Sequence, residues 1–475
     1  MKKLGKFLSV KYFLGLQGIV SLIFLFLVKN LDILPNKYFL VITTIVILLF
    51  VINFFIQFKA KEKSTRAIIS RVISVLLSLL MIFACFEVNS GMDLVSKFTS
   101  VDYQTNSMSV IVMGKSDYTK INHLDHKKIG IVNGIDEDNV NNAMKKLDEV
   151  ISVDYGQYVD FQHLVENLYD GNVDAILVNE AYRSMLEDVK EAFTDETRVI
   201  YQIELEEKIE NLANDGAVDD GVFNICITGI DTEGPVSTKS RSDVNMIMTV
   251  NMNKHKILLT GIPRDYYVTL ASKNAKDKLT HAGIYGVNET VNTISQLLDV
   301  RIDYYFRINF TSLVNLVDVL DGVDVYSDRA LFQGSDIEIK EGTNHMDGQT
   351  ALAFSRERHS YAEGDNHRIQ NQQAVMMAII NKLISPSVIT HYKDVLNQVE
   401  GTFETNMSSQ DILKVIQKQL DNMQGYTMTN KYLTGTGTMK KGLYSMPKSN
   451  LYTMIPNDQQ VKDAKQKINE IYNGQ

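Results

Sequence analysis

Three apolar runs in the first ninety residues limit what this chain can fold into. They occupy 7–28, 38–57 and 68–88, and each is about 20 residues long, enough to cross a hydrocarbon core of roughly 30 Å. A cleaved signal peptide would have one shorter apolar segment followed by a small-residue cleavage site, and none is evident here. The sequence therefore predicts three transmembrane helices within 1–90, in preference to buried core helices.

Positive charges beside these runs predict their orientation. Three lysines precede the first run, and the stretch 59–71, which links the second run to the start of the third, carries three lysines and two arginines. The loop between the first and second runs has only two lysines and one aspartate. Because positively charged loops stay in the cytoplasm, the N-terminus is expected inside the cell, and everything after about Asn89 is expected outside the cell membrane.

The part of the chain that follows the membrane runs is acidic. The whole chain has a net charge of −9, although its first 100 residues carry a basic excess. An acidic external part is a poor nucleic-acid binder, because neutralising phosphates needs clustered lysine and arginine. Nucleic acid is therefore not expected as a partner, and any phosphate site must be a local basic pocket. Cys85 and Cys226 lie in separate apolar runs, so no disulfide is expected.

Periodicity predicts an α/β protein with two units outside the membrane. Residues 100–205 are assigned to a small accessory α/β domain, in which no catalytic cluster is evident, and the acidic, glycine-punctuated stretch 206–220 to a linker. Residues 221–390 are assigned to a larger, layered α/β/α catalytic domain with a mixed central sheet. Residues 391–475 are assigned to the C-terminal part of that domain and a tail.

Charged residues cluster at the ends of three strands predicted in the larger domain. The first, in "GVFNICITGID", ends at Asp231; the second begins beside Arg241 and Asp243; the third ends just before Arg264 and Asp265. The short turn between the second and third strands predicts an antiparallel hairpin. If the first strand neighbours this hairpin, all five residues share one edge of the sheet, where open α/β sheets build their sites.

A later segment, "FSRERHSYAEGDNHRIQNQQ", adds further charged and polar groups. Arg356 and Arg358 are two residues apart and share a face if the chain there is extended. A helix is predicted to start near Asp365, with Arg368 and Gln372 four residues apart on its buried stripe. A helix N-terminus also favours anions.

These residue types together predict a Mg²⁺–pyrophosphate site for phosphoryl transfer. Arginine forks match phosphate oxygens, and Mg²⁺ takes one or two carboxylates plus substrate phosphates. Asp231 and Asp243 are the predicted metal ligands, and five arginines are predicted to converge on one cleft: Arg241, Arg264, Arg356, Arg358 and Arg368. For any single pair of neighbouring charges, a structural ion pair is the competing interpretation. The histidines have no metal-ligand spacing, and no serine–histidine–acid arrangement supports a hydrolase.

The motifs of the larger domain resemble the LytR-CpsA-Psr family of bacterial cell-wall proteins. The resemblance covers 224–383 and rests on "SRSDVNMIMTVN", "ILLTGIPRDYYV", "KLTHAGIYG", "GTNHMDGQTALAFSRER" and "GDNHRIQNQQ", with the tail pieces "FETNMSS" and "DAKQKI". Three membrane helices with an extra external domain are most similar to the CpsA type, the streptococcal capsule proteins.

This resemblance implies a membrane-anchored phosphotransferase that uses Mg²⁺ or Mn²⁺. It would move a polyprenyl-pyrophosphate-linked glycopolymer, expected to be capsular polysaccharide, onto peptidoglycan outside the cell. The other expected partners are membrane lipid and further capsule-assembly membrane proteins. By the resemblance, Asp243, Arg264 and Asp265 are catalytic, Asp231 and Asp243 hold the metal, and these residues grip the pyrophosphate: Arg241, Arg264, Arg356, Arg358, Arg368 and Gln372.

Some roles and functions stay open at this point. Asp265 either orients the arginine before it or acts as a base. Asn371 stands where many relatives have arginine, which predicts one phosphate contact fewer. A membrane regulator that senses the lipid-linked polymer without turning it over, and a pyrophosphatase of the lipid carrier, are the alternative functions.

Overall fold

A computed structural model describes residues 10–30, 34–58, 60–61, 64–98, 103–214, 216–230, 235–333, 337–362, 364–385, 388, 392–399 and 401–474. Its first three helices are α1 (Val10–Asn30), α2 (Asn36–Gln57) and α3 (Thr65–Phe98). Each contains a stretch long and apolar enough to cross a membrane. Outward-facing side chains such as Leu22 and Phe86 are 69% and 70% exposed, as contact with lipid requires. The predicted three-helix membrane segment is confirmed by length and composition.

A buried polar cluster holds these three helices together. The Asn53 side-chain amide of α2 donates to Gln17 Oε1 of α1 at 2.7 Å and to Ser74 Oγ of α3 at 2.8 Å. All three side chains are almost fully buried. Hydrogen bonds of this kind stabilise helix association where apolar contacts with lipid and with protein are equivalent.

The accessory unit is a five-stranded sheet with helices on both faces, in the order β3-β2-β4-β1-β5. Strands β3 and β5 were not predicted from the sequence, and β5 continues to Lys208. The elements of this unit are β1 (Tyr103–Met113), β2 (Lys128–Val132), α4 (Glu137–Asp148), β3 (Asp154–Tyr158), α5 (Phe161–Tyr169), β4 (Ala175–Asn179), α6 (Arg183–Val189), α7 (Phe193–Glu196) and β5 (Thr197–Lys208).

The larger unit is built on a six-stranded mixed sheet in the order β16-β11-β6-β7-β8-β17. Pairs β6/β11 and β8/β17 are parallel, and the others are antiparallel. Its first elements are α8 (Ala217–Asp220), β6 (Val222–Ile230), β7 (Ser242–Asn251), β8 (Lys256–Gly261), β9 (Tyr267–Leu270), β10 (Ala275–Lys278), a 3-10 helix (Leu279–Tyr285), α9 (Val287–Leu298) and β11 (Tyr304–Ile308).

The second half of this unit completes the layers. It contains α10 (Phe310–Val319), β12 (Val323–Ser327), β13 (Leu331–Gln333), β14 (Ile337–Ile339), β15 (Gly342–Met346), α11 (Gly348–Arg356), α12 (Asp365–Leu383), α13 (Tyr392–Val399), β16 (Phe403–Thr405), α14 (Ser409–Asn422), β17 (Thr427–Tyr432), β18 (Gly435–Lys440), β19 (Leu451–Pro456) and α15 (Asp458–Tyr472). Helices α9 and α15 share one core with the sheet, and α12 packs on the opposite face. The predicted α/β/α layering is confirmed.

The predicted hairpin positions the candidate site. Strand β7 pairs antiparallel with β8, and β6 lies on the other side of β7 with Gly229 opposite Val244. The chain reverses at 252–255, where His255 adopts a positive φ of 49°. The residues just before β7 and just after β8 therefore meet at one edge, as expected from the pattern.

Buried hydrogen bonds among Asp277, His281 and Ser445 link the segment before β19 to β10 and the 3-10 helix. Asp277 Oδ1 lies 2.6 Å from His281 Nδ1, and its Oδ2 accepts hydrogen bonds from the backbone and hydroxyl of Ser445. Burial alone would raise the pKa of Asp277, but His281 and the hydrogen bonds from Ser445 outweigh it, so the pKa lies below its usual value. Ionised Asp277 therefore stabilises the folded state above the pKa of an unfolded aspartate, about 3.9.

We expect Asp277→Asn to lower the free energy of unfolding by about 1–3 kcal/mol at pH 7, because a buried hydrogen-bond network loses its charge. The difference from the wild type should shrink as the pH falls below about 4, where Asp277 becomes protonated. Denaturant unfolding at pH 7, 5 and 3 measures this. The matched control is Asp324→Asn, since Asp324 pairs with His345 at an exposed site. A difference that does not change with pH would contradict the prediction.

Candidate functional site

An ion cluster occupies the sheet edge formed by the starts and ends of β7 and β8. Arg264, three residues past β8, places Nη1 2.5 Å from Asp243 Oδ2 at the start of β7. Arg241 Nε lies 4.0 Å from the other oxygen of Asp243. The three side chains are between 12% and 19% exposed, so their charges interact in a largely desolvated edge.

The first turn of α12 extends this cluster. Asp365 Oδ1 lies 3.7 Å from Arg264 Nη2 and 2.9 Å from Arg368 Nη2. Asp365 therefore bridges two of the predicted phosphate-binding arginines, although its sequence position marked it only as a helix start. In the described part of the chain, the Nε–H groups of Arg264 and Arg368 are buried and donate no hydrogen bond. Buried donors without a partner suit a site that takes an anion.

Two further residues of the cluster were not predicted. Lys278 Nζ lies 2.6 Å from Asp265 Oδ1, and Thr280 Oγ1 donates to Asp243 Oδ1 at 2.7 Å. Both residues reach the cluster because the hairpin β9–β10 brings the chain back to the sheet edge at which Arg264 lies. Thr280 belongs to the family motif "KLTHAGIYG", which could have marked it as a site residue. No local sequence pattern, however, predicts that its side chain contacts Asp243.

Of the two predicted arginines at the end of α11, Arg356 lines the site and Arg358 does not. The shared face of Arg356 and Arg358 was conditional on an extended chain, and the condition is not met at Arg356, where α11 ends. The Arg356 guanidinium stacks 4.5 Å from the ring centre of Phe310, and Arg356 lines the same cavity as Asp243 and Gln372. Arg358 is exposed just beyond the helix, with Nε 3.4 Å from His359 Nε2.

Helix α12 has the orientation predicted for it. Val375, Met376 and Ile379 are buried, while Arg368 and Gln372 are half-buried on the side of the site. Asn371, the departure from the family pattern, lies in the core, where its side chain donates to the carbonyl oxygen of Phe354 at 3.2 Å. The substitution at this position therefore changes a packing contact of α11 with α12.

The electrostatics of the cluster keep its groups charged. Burial would raise the pKa of Asp243, but the charges of Arg264 and Arg241 and the hydrogen bond from Thr280 hold it well below the usual range. Burial and the neighbouring charge of Arg264 lower the pKa of Arg368. Positive charges therefore repel one another beside Arg368, and an anion placed between them would relieve that repulsion.

An apolar cavity lies directly beneath the ion cluster. It is bounded by β6, β7, α10, α11 and α12, and Asp243, Arg356 and Gln372 form its polar rim above Val244, Leu313 and Met376. Its free volume is ≈ 60 Å³, enough for only a few water molecules. A larger apolar group would enter only if the helices moved away from the sheet.

Of the two carboxylates predicted to bind a divalent cation, the described residues include one, Asp243. Asp243 is ionised and keeps lone pairs beyond those used by Arg264 and Thr280, and a single carboxylate with phosphate oxygens and water is a common Mg²⁺ environment. Asp231, the other predicted ligand, lies outside the described residues. In the described ranges, no group of three or more metal-ligating side chains is found. The predicted metal remains a proposal that depends on a phosphate ligand.

The described chain is an α/β protein in which an arginine-rich sheet edge lies above an apolar cavity, with three N-terminal helices long and apolar enough to cross a membrane. The LytR_cpsA_psr family model matches residues 188–460. That match spans more than half of the chain, and the protein belongs to this family. The resemblance inferred from the motifs is confirmed, whereas the closer likeness to the CpsA type stays a prediction.

Several named proteins and one solved structure are similar to part of this chain. The polyisoprenyl-teichoic acid–peptidoglycan teichoic acid transferase TagU of Bacillus cereus is 34% identical over 200 residues, covering 42% of this chain and 64% of that protein. Its Bacillus subtilis counterpart is 33% identical over 223 residues, covering 47% and 71%. The chain thus spans just under two thirds of the length of the B. cereus protein. The crystal structure of B. subtilis TagV matches with a TM-score of 0.46 and 25% identity, over 54% of this chain and 98% of that one.

Proposed function

We propose that the protein is a membrane-anchored phosphotransferase that moves a polyprenyl-pyrophosphate-linked glycopolymer onto peptidoglycan. The observation that carries this is the position of the Arg241–Asp243–Arg264 cluster directly above an apolar cavity. Such a site suits a ligand that is a diphosphate at one end and a hydrocarbon at the other. The names of the relatives, which are transferases of polyisoprenyl-linked teichoic acid to peptidoglycan, support the same class of reaction.

The chemistry assigned to the site is in-line transfer at phosphorus. A hydroxyl of the acceptor attacks the phosphorus attached to the polymer, a phosphodiester forms, and the P–O bond to the polyprenyl phosphate breaks. Arg264 and Arg368 bind the diphosphate through their guanidinium donors, and Arg241 and Arg356 flank it. These fixed charges stabilise the negative charge that grows on the departing polyprenyl phosphate. A bound Mg²⁺ or Mn²⁺, held by Asp243 with Asp231, would supply further charge neutralisation.

We assign Asp265 to orientation. One of its oxygens is held by Lys278 at 2.6 Å, and the other lies 3.9 Å from Arg264 Nε. Both contacts fix the strand end that carries Arg264. The proton of the attacking hydroxyl then passes to another group, such as a phosphate oxygen or water.

We propose that this domain lies outside the cell. The charge pattern of the loops supports an internal N-terminus. The loop between α1 and α2 would then be external, and this end of the helices contacts the larger unit. Lys37 Nζ, in the first turn of α2, lies 3.3 Å from Asp421 of α14, and Gln417 donates to the carbonyl oxygen of Leu34 in the loop. Lipid carrier and enzyme would meet at the same membrane face, where tethering raises the encounter probability.

For the polymer we propose a wall-attached glycopolymer, with capsular polysaccharide as the specific candidate. Teichoic acid is the polymer named for the relatives, while the three-helix organisation with an accessory unit favours the capsule assignment. Supplying the purified protein with either polymer on a polyprenyl pyrophosphate carrier distinguishes the two. Faster transfer of teichoic acid would reject the capsular assignment and leave the reaction class intact.

The reaction class is tested with detergent-solubilised full-length protein, a labelled lipid-linked polymer and uncrosslinked peptidoglycan. The proposal expects equal amounts of released polyprenyl phosphate and of peptidoglycan-bound label. Release with free polymer would identify a pyrophosphatase. Binding of the lipid-linked polymer with no release at all would identify a sensor.

A close backbone approach at Gly283 gives a further prediction. A Cβ at Gly283, in the 3-10 helix, would lie 2.4 Å from Ser240 O and 2.6 Å from Ser242 N, so Gly283→Ala must displace the segment that carries Arg241. We expect transfer to fall on the order of 10²-fold, as for a displacement of about 1 Å at a reacting centre. Turnover of purified protein measures this, and Gly425→Ala is the control because its Cβ would enter open space. Equal rates in the two variants would contradict the prediction.

A further inference from the structure

A second cavity lies between the accessory unit and the larger unit. Its free volume is ≈ 590 Å³, within the range of small-molecule binding sites. The accessory unit contributes α6 and β5 to its walls, and the larger unit contributes the segment 235–241 that leads into β7. This interdomain cleft is distinct from the apolar cavity beneath the ion cluster.

The interdomain cleft ends at the candidate site. Arg241 lines the cleft, and Asp243 lines the apolar cavity. Arg241 Nε and Asp243 Oδ1 are 4.0 Å apart, so the two cavities meet at this ion pair. A transfer reaction needs two substrates that reach one phosphorus from different directions, and the two cavities provide two such approaches.

The walls of the cleft carry hydrogen-bonding groups of a kind that suits a hydroxyl-rich ligand. Ser184, Gln202, Thr238 and Ser240 face it. Glu204 also lines it, and its carboxylate accepts a hydrogen bond from the Ser107 hydroxyl at 2.9 Å.

The charges that line the cleft favour an uncharged saccharide over the anionic lipid-linked donor. Arg183 neutralises Glu180 through two hydrogen bonds of 2.6 and 2.7 Å, whereas Glu187 accepts a hydrogen bond from a neutral hydroxyl, that of Thr194. Away from Arg241 the walls therefore have an excess of negative charge. An anionic polymer on a diphosphate is disfavoured beside these carboxylates, and an uncharged saccharide is not.

The cleft is held in shape by direct pairing between the two units. The backbone of Thr105 in β1 donates to Ser237 O and accepts from Lys239 N, both at 2.9 Å. On the other side, Arg307 of β11 donates to Thr238 O at 2.7 Å. The segment that carries Arg241 is thus fixed between the accessory strand and the central sheet, and the accessory unit forms one wall of a preorganised cleft.

We propose that the interdomain cleft binds the saccharide acceptor, a glycan strand of peptidoglycan, and presents its hydroxyl at the Arg241–Asp243 pair. This assignment rests on the proposed transferase function and gives the accessory unit a role in acceptor selection. The lipid-linked donor occupies the apolar cavity and the arginine cluster, and the acceptor approaches from the side of α6 and β5.

The test fills the cleft without touching the arginine cluster. In the full-length protein, Ser184→Trp on α6 and Gln202→Trp on β5 place an indole in the cleft, and Asp188→Trp, on the exposed side of the same helix, is the matched control. We expect both cleft variants to raise the KM for an uncrosslinked peptidoglycan glycan at least tenfold. Affinity for a non-transferable lipid diphosphate should stay within twofold of the wild type.

The outcomes separate the two proposals. Wild-type acceptor KM in both cleft variants would overturn the cleft assignment while leaving the transferase intact. If the wild type itself transfers nothing, the proposed function fails. Calorimetric titration with the same glycan then still tests the cleft, and unchanged affinity in Ser184→Trp and Gln202→Trp would reject it.

Discussion

Replacing Asp243 with asparagine should lower polymer transfer by about 10²–10³-fold, the loss typical of removing one preorganised electrostatic group from an active site. Asp243 is the common partner of Arg264, Arg241 and Thr280. The amide keeps the shape of the carboxylate but removes the charge that orients both arginines and would hold the metal. In cells, the ratio of wall-attached to shed polymer measures the effect, and turnover of purified protein confirms it.

The matched control is Asp299→Asn, because Asp299 is an aspartate that is 83% exposed and pairs with Lys465 far from the site. The control should behave as the wild type in both assays. Wild-type attachment of polymer in the Asp243→Asn strain would remove Asp243 from the catalytic machinery. It would favour the alternative that the protein senses the lipid-linked polymer without transferring it.

Replacing Arg307 with methionine should lower the free energy of unfolding by about 3–5 kcal/mol, because it leaves a buried carboxylate without its counter-ion. Arg307 and Glu404 form an ion pair of 3.0 Å whose side chains are 2% and 0% exposed. Tyr305 also donates to Glu404, at 2.8 Å. Denaturant unfolding of the detergent-solubilised protein measures the loss.

Two controls identify the cause. Lys465→Met removes a surface ion pair and should cost at most about 1 kcal/mol. The double variant Arg307→Met/Glu404→Met should recover part of the stability, since no unpaired charge remains. If Arg307→Met cost no more than Lys465→Met, the buried pair would not stabilise the fold. Recovery of stability without recovery of transfer in the double variant would indicate that the hydrogen bond from Arg307 to Thr238 also positions Arg241.

Several parts of the site were predictable because they depend on short-range patterns. The short turn after β7 required an antiparallel hairpin, and chain direction then placed Asp243 and Arg264 at one edge. The four-residue spacing of Arg368 and Gln372 placed them on one side of α12. The expectation that the ligand is a lipid diphosphate came from the family motifs, because the spacing of residues alone does not identify a lipid.

Other parts were not predictable from local patterns. The sequence left the conformation at Arg356 open, and the packing of α11 against α10 and α12 keeps this segment helical up to Arg356. Strands β3 and β5 of the accessory unit carry many polar residues, and their strand conformation follows from pairing with neighbours in the sheet. Lys278 and Thr280 lie 13 and 37 positions from their partners Asp265 and Asp243 along the chain.

The amino-acid sequence alone was sufficient to predict the three membrane helices and the hairpin of β7 and β8. Partition into a bilayer and the closing of a short turn depend on consecutive residues, so their free energies can be summed along the chain. The ion cluster, the apolar cavity and the interdomain cleft required the folded chain, because each brings together segments far apart in sequence. Their geometry depends on how whole layers pack, and local preferences do not encode that packing.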